Sequence, residues 1–362
     1  MKVVICCNHS YPHCGGSETV IKNMAEYGVY YGHKVIVLSR TVKDSFEHNG
    51  VKYQPCPADA DQFLNHLKKI DPDHVHVYSD CFTYWPDILK NAENIKATKS
   101  IALVGMNYML QSQGRLKQFV KKHHHFTVIT HSDKYVDYKK CQVKNIPVTV
   151  IPNGVDVHEF DNNQETFLKK DKYNILCVSN FFPGKGQEHL IHILKLLANK
   201  RDDFRAIFMS STVNFPYACI LSRAAKRALE SSSFDYKFYV DKGREKVVAA
   251  FNEADVFAFP TQKEVAPLVA LEAQASRTSW VSLPVGNMQE LRGGIVIPYH
   301  SVDQHGYARY SHDTYEKFVE EIDNLLNNEF SRQILGDEGR QQILDNYDWS
   351  MIGQKYNEVF TL

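Results

Sequence analysis

No C-x-x-C pair occurs among the eight cysteines of this 362-residue chain, which argues against a zinc site. The cysteines are scattered. Cys6, Cys7 and Cys177 fall in apolar runs that read as buried strands, so reduced core residues of a cytoplasmic protein are expected rather than disulfides. No apolar run approaches ~20 residues, so no bilayer-spanning helix is expected. The opening M-K-V-V-I-C-C-N-H is too short an apolar run for a signal peptide. Net charge is also missing: Lys+Arg and Asp+Glu both number 42. Global charge therefore argues neither for nor against a nucleic-acid partner. The fingerprint G-x-G-x-x-G does not follow the first strand, so an NAD site is not indicated.

The chain does have length for two domains, and its hydrophobic fraction of 43% is ample for two cores. Strand and helix signals alternate from the start. Lys2 to Cys7 reads as a strand, about Thr19 to Tyr30 as a helix, and Lys34 to Ser39 as the next strand. Gly15 and Gly16 stand at the first strand–helix turn, where they let backbone approach a ligand closely. The strand Asn174 to Ser179 leads into Gly184-Lys185-Gly186 and then a helix from Gln187. Lys185, a point charge at a helix start, suits a diphosphate. Ala254 to Thr261 is a further buried strand that stops at Pro260. After it comes Glu264 to Glu272, E-V-A-P-L-V-A-L-E, with two carboxylates eight positions apart. Glu264 is expected in the loop. Glu272 is expected about two helical turns further along, on roughly the same face. Carboxylates are good acceptors for vicinal hydroxyls, so the pair suits a hydroxyl-rich ligand.

Strand, Glu, seven residues, Glu on a helix resembles the signature of the retaining glycosyltransferases of family 4. Three other segments match in the family's order: Gly15-Gly16, I-P-N-G-V-D at 151–156, and the Lys185 loop. V-G-N-M-Q-E-L from Val285 and Y-D-W-S-M-I-G-Q-K-Y around Trp349 extend the likeness over nearly the whole chain. The resemblance implies an α/β chain of GT-B fold: two Rossmann-like βαβ domains facing across a cleft, with a C-terminal helix crossing back to the first. The expected bounds are 1–156 on the acceptor side, 157–345 on the donor side, and 346–362 for the crossing helix. It implies a nucleotide-diphosphate sugar as co-substrate and no further cofactor. It gives Glu264 the sugar hydroxyls, Glu272 the ribose hydroxyls and Lys185 the diphosphate. Gly15, Gly16, Asn180, Gly186, Val240, Ala266, Pro267 and Leu268 are also placed with the donor. Retention without an enzymic nucleophile implies front-face attack.

Several positions depart from the family's pattern. The family's usual histidine near the reacting sugar is missing, and Asn107 and His76 are equal candidates for its place. Asn180 stands where an arginine is usual, and Val265-Ala266-Pro267 where Phe-Gly is common. D-A-D at 59–61 and D-P-D at 71–73 resemble metal-binding D-x-D pairs of another glycosyltransferase architecture, but they read as helix caps and turns, so no metal is expected.

The segment Arg115 to Lys144 holds eight basic residues against two acidic ones, +6 with histidines neutral. Lys121, Lys122, Lys139 and Lys140 are its candidate acceptor residues, and its plain alternative is a solvated face. A basic surface suits an anionic acceptor. The resemblance implies a glycan or lipid-linked sugar as acceptor, with hydroxymethylated bases of phage or viral DNA, which enzymes of the same architecture glycosylate, as the alternative, and a location in the cytoplasm, at a membrane surface or on nucleic acid. A sugar-nucleotide epimerase shares the architecture but needs further acid/base groups in the cleft. An inactive nucleotide-binding module fits the missing histidine and arginine.

Overall fold

The computed structural model describes residues 1–13, 15–79, 95–104, 125–129, 148–231 and 234–362. The chain forms two compact units: Met1–Gly154 with Trp349–Leu362, and Val155–Asp348.

The first unit is built on one sheet. Its strands are β1 (Lys2–Cys7), β2 (Lys34–Ser39), β3 (Phe46–His48), β4 (Val51–Pro55), β5 (His74–Ser79), β6 (Thr98–Leu103), β7 (His125–Val128) and β8 (Val148–Val150). The order is β3-β4-β2-β1-β5-β6-β7-β8. All neighbours are parallel except β3 and β4, an antiparallel edge hairpin whose second strand, Val51 to Pro55, reads as a strand from sequence while the short β3 does not. K-V-V-I-C-C of β1 is apolar almost throughout because a parallel strand is covered on both faces. Among the described residues its helices are α1 (Gly16–Tyr30), α2 (Ala60–Ile70) and, at the chain's end, one over Trp349–Phe360.

That last helix is held by size complementarity. Trp349 is buried and stacks on Tyr27 of α1, ring centroids 6.0 Å apart. A Cβ on Gly154 would come within 3.0 Å of the Trp349 indole. A Cβ on Gly353 would lie 2.5 Å from the Tyr27 ring. Glycine at both positions lets the helix settle on α1 at backbone distance.

The second unit holds a six-stranded, wholly parallel sheet: β9 (Tyr173–Val178), β10 (Phe204–Ser210), β11 (Asp235–Val240), β12 (Val256–Phe259), β13 (Trp280–Ser282) and β14 (Gly294–Val296). The order is β11-β10-β9-β12-β13-β14. In the unit's own count that is 3-2-1-4-5-6, the doubly wound Rossmann order. Its helices are α3 (Val157–Asp161), α4 (Gln187–Leu197), α5 (Phe215–Ser231), α6 (Arg244–Glu253), α7 (Leu268–Ala275), α8 (His312–Asn327) and α9 (Glu329–Gln342); the terminal helix of the first unit becomes α10. Strand order reverses between β9 and β12. A doubly wound sheet opens a crevice beyond the carboxyl ends of those two strands, and ligands bind there.

Four of the described cysteines are core residues. Cys6, Cys7, Cys56 and Cys177 are buried thiols outside any disulfide. Burial pushes the Cys56 and Cys177 thiols up to about 12, so neither is a ready nucleophile.

Candidate functional site

The loop after β9 is shaped by two glycines. Gly184 and Gly186 have φ of +87° and +79°, the left-handed region that side chains rarely enter. A Cβ on Gly184 would come 2.5 Å from the Tyr307 ring, and one on Gly186 would collide with the Pro260 carbonyl. The loop therefore lies flat against the end of β12. Gln262 N donates to Gly184 O at 2.9 Å, which ties the two loops together. Behind them, buried Gln187 donates to Ser179 Oγ at 2.7 Å and to Asn180 O at 3.0 Å. Gly186→Ala should lower unfolding stability by about 1–2 kcal/mol from backbone strain alone. The collision with Pro260 adds to that. Thermal unfolding unchanged within 1 °C would show that the loop is not held as described.

This packing brings Lys185 and Glu264 together. Lys185 Nζ donates to Glu264 Oε1 at 2.6 Å. Thr261 Oγ1 reaches the same oxygen at 3.1 Å. The Glu264 side chain is 13% exposed, and its Oε2 accepts no hydrogen bond from the described residues. Gly286, with φ +57°, backs the Glu264 loop so closely that a Cβ would collide with Val265 O. Asn287 N donates to that same carbonyl at 2.9 Å. The Val285-Gly286-Asn287 segment therefore sets the height of the Glu264 loop.

Glu272 has its own cation. Arg244 Nη1 donates to Glu272 Oε1 at 2.5 Å. Arg244 Nε and Nη2 both reach Glu159, at 2.7 Å each. Burial works against the guanidinium's charge, but Glu272 and Glu159 outweigh it and hold the proton more firmly than usual. The Glu272 side chain is 10% exposed, and its Oε2 also accepts nothing from the described residues. Helix α7 starts only at Leu268, with Pro267 as its N-cap at φ −70°. As expected, Glu264 sits in the loop before the helix and Glu272 on it. The two expected helical turns between them are shortened by that late start, and the two carboxylates are fixed by cations from different elements. Sequence reasoning missed Arg244, Glu159 and Thr261. They lie 28, 113 and 3 positions from the glutamate they serve, and only Thr261 was near enough for local pattern to reveal.

The remaining expected residues fall as follows. Asn180, where the family has arginine, accepts from Ser211 Oγ at 2.9 Å and lies in the β9 loop with Lys185. Ala266, Pro267 and Leu268 join the Glu264 loop to α7. Val240 ends β11, and Asp241 after it has φ +49°. In the first unit, Gly15 is the N-cap of α1 and Gly16 its first residue. Gly15 has extended backbone, and the Glu18 carboxylate folds back over it, so a Cβ there would only displace the end of that flexible side chain. They follow β1, and that sheet reverses between β1 and β5, so this turn stands at its own switch point.

His76 is a correction. It is 0% exposed, within 2.7 Å of Ser100 Oγ, with the rings of Tyr356 and Phe360 each 5.8 Å away. It is a core residue under α10, and no substrate reaches it there. Asn107, Lys121, Lys122, Lys139 and Lys140 lie outside the described residues, and with them the basic segment on which a DNA acceptor rests. Of the histidine run 123–125, described His125 lies in β7 with Nε2 2.8 Å from Thr149 Oγ1. The D-x-D aspartates are structural. Asp59 caps α2, accepting from Asp61 N and Gln62 N. Asp71 is the left-handed C-cap of α2, and Asp73 accepts from Lys2 N at 2.6 Å. Among the described residues no cluster of three His, Cys, Asp or Glu could hold a metal, and no helix is long and apolar enough to cross a membrane.

The switch point of the second unit thus carries two carboxylates, each with one oxygen fixed by a cation and one open, beside helix α4, which has no side-chain cap. Open carboxylate oxygens take hydroxyls, while a lysine and an uncapped helix start attract phosphate. Comparison with known proteins agrees with this chemistry. Residues 159–342, half of the chain, match the model of the family "Glycosyl transferases group 1". The chain is 21% identical to the GPI3 subunit of phosphatidylinositol N-acetylglucosaminyltransferase of Saccharomyces cerevisiae (strain YJM789), covering 99% of this chain and 82% of that one. Its fold is similar to sucrose-phosphate synthase from Thermosynechococcus elongatus, with TM-score 0.78, 15% identity, and 99% and 98% of the two chains covered. It is similar also to Anabaena HepE in complex with UDP, with TM-score 0.73, 15% identity and 100% of both chains covered. These folds are GT-B glycosyltransferases. The chain belongs to the group 1 glycosyl transferases and is a glycosyltransferase.

Proposed function

We propose that this enzyme moves a sugar, with retention of anomeric configuration and without a metal ion, from a UDP- or GDP-sugar to a hydroxyl of a lipid-linked or glycan acceptor. The observation that carries the donor reading is the pair of half-occupied glutamates at the switch point. In the absence of donor Lys185 neutralises Glu264. An arriving diphosphate, with its greater charge, draws the ammonium to itself. Lys185 then offsets charge as the leaving group forms, the place where a preorganised cation accelerates transfer. Glu264, held by buried Thr261, takes a sugar hydroxyl on its free oxygen. Glu272 takes the ribose hydroxyls. Retention follows from front-face attack, the diphosphate helping to deprotonate the acceptor.

Two things favour a lipid-borne acceptor. The yeast relative's name contains phosphatidylinositol. Helix α5 also turns Phe215 (76% exposed) and Ile220 (55%) to solvent, with Arg223 and Lys226 exposed further along it. Large apolar residues beside cations suit an anionic membrane surface. That helix follows β10, and its leading loop touches the donor loop through Ser211 and Asn180. A membrane contact there keeps the lipid headgroup near the donor and places the enzyme at a membrane periphery.

The test offers radiolabelled UDP- and GDP-sugars with phosphatidylinositol vesicles, soluble glycans or hydroxymethylated DNA, with and without excess EDTA. The expected result is transfer to the vesicle lipid from one donor series, at the same rate with chelator. NMR of the product should show the donor's anomeric configuration. Transfer to DNA alone, loss of activity in EDTA, or an inverted product would each overturn the corresponding part.

A further inference from the structure

Glu272 presents a problem of orientation. A carboxylate's terminal torsion is soft, so one oxygen must be fixed before the other has a defined direction. Its buried charge also needs a partner. Arg244 meets both needs, and Arg244 is itself immobilised. Glu159 grips Nε and Nη2 as a fork, and the Phe160 ring lies 5.6 Å from the guanidinium carbon. Glu159 and Phe160 sit on α3, whose first turn is capped by Asp156. Asn252 of α6 donates to Phe160 O at 2.9 Å, and Asn163 donates to Glu245 O at 2.7 Å, so α3 and α6 are tied on both sides of the arginine.

We propose that Arg244 is a positioning residue for the donor: it holds Oε1 of Glu272, with Glu159 as its anchor, so that Oε2 is presented to the ribose hydroxyls. The proposal rests on the reading of Glu272 as the ribose-holding residue. One cation stands between two carboxylates, so the triad keeps a net negative charge and Glu272 keeps its strength as an acceptor. Lysine can replace the arginine only in part, because a point charge cannot both fork onto Glu159 and reach Glu272.

The test is isothermal titration of the full-length protein with UDP, GDP, dUDP and dGDP, comparing wild type, Arg244→Met, Arg244→Lys and Glu159→Gln. Wild type should prefer the ribonucleotide of the series it binds over its 2′-deoxy form by about tenfold or more, the worth of one hydrogen bond to a charged group. Arg244→Met should weaken the ribonucleotide by about tenfold and leave the deoxy form within about twofold, so that the preference vanishes. Arg244→Lys and Glu159→Gln should retain part of it. A purely structural arginine would weaken both nucleotides alike or change only thermal stability. If Arg244→Met keeps the full preference, the inference falls and the ribose role of Glu272 stands. If wild type shows no preference, the ribose role falls and the inference with it. Should Arg244→Met not fold, Arg244→Lys and Glu159→Gln decide by the same ratio: an undiminished preference in both overturns the proposal.

Discussion

Lys185→Ala and Glu264→Ala should each lower turnover with a nucleotide-sugar donor by about 10²-fold or more while circular dichroism stays that of the wild type. One donor to charge developing in a transition state contributes this much in enzymes generally, and loss of positioning contributes a comparable factor. The fold should survive because the pair is a partly exposed link between two loops already tied by Gln262 N to Gly184 O. Lys185→Ala leaves the mostly buried Glu264 carboxylate with Thr261 as its remaining donor, so it should cost some stability as well as turnover. Turnover within threefold of wild type in both variants would remove these residues from the site.

The largest stability effect should come from Trp349→Ala. Truncating a buried Trp costs about 3–5 kcal/mol through lost transfer energy and the cavity left behind. Here the cavity would open between Tyr27, Gly154 and the α10 backbone. The melting temperature should fall by roughly 10 °C. Proteolysis should then release the C-terminal segment first, since α10 is held by this contact and by Gly353 against Tyr27. A fall below about 2 °C would mean that the indole does not anchor the helix.

Much of the second unit was legible because its signals are local. Ala254 to Thr261 is apolar without alternation, and a doubly covered parallel strand, β12, lies within it. Gly184 and Gly186 announced a turn, and both have positive φ. The loop carrying Glu264 and the helix carrying Glu272 follow directly from where Pro267 stands. What failed depended on distance along the chain. His76 alternates with His74 on one face of β5, and a period of two cannot tell a core-facing side from a ligand-facing one. The cover over His76 comes from Tyr356 and Phe360, some 280 residues later. Arg244 sits in D-K-G-R-E-K, a charge run that reads as a solvated helix start. Only the packing of α3, α6 and α7 turns it toward Glu272. Strands as short as β13 and β3, three residues each, are below what patterning separates from loop.

The central claim is that the switch point of the second unit is the donor site, and calorimetric titration of nucleotide sugars tests it most directly. UDP- and GDP-sugars would be titrated into wild type, Lys185→Ala and Glu272→Ala at fixed salt. The account predicts that wild type binds one of the two series, and that each substitution weakens binding about tenfold or more with the fold intact. Equal affinity in all three proteins would contradict it.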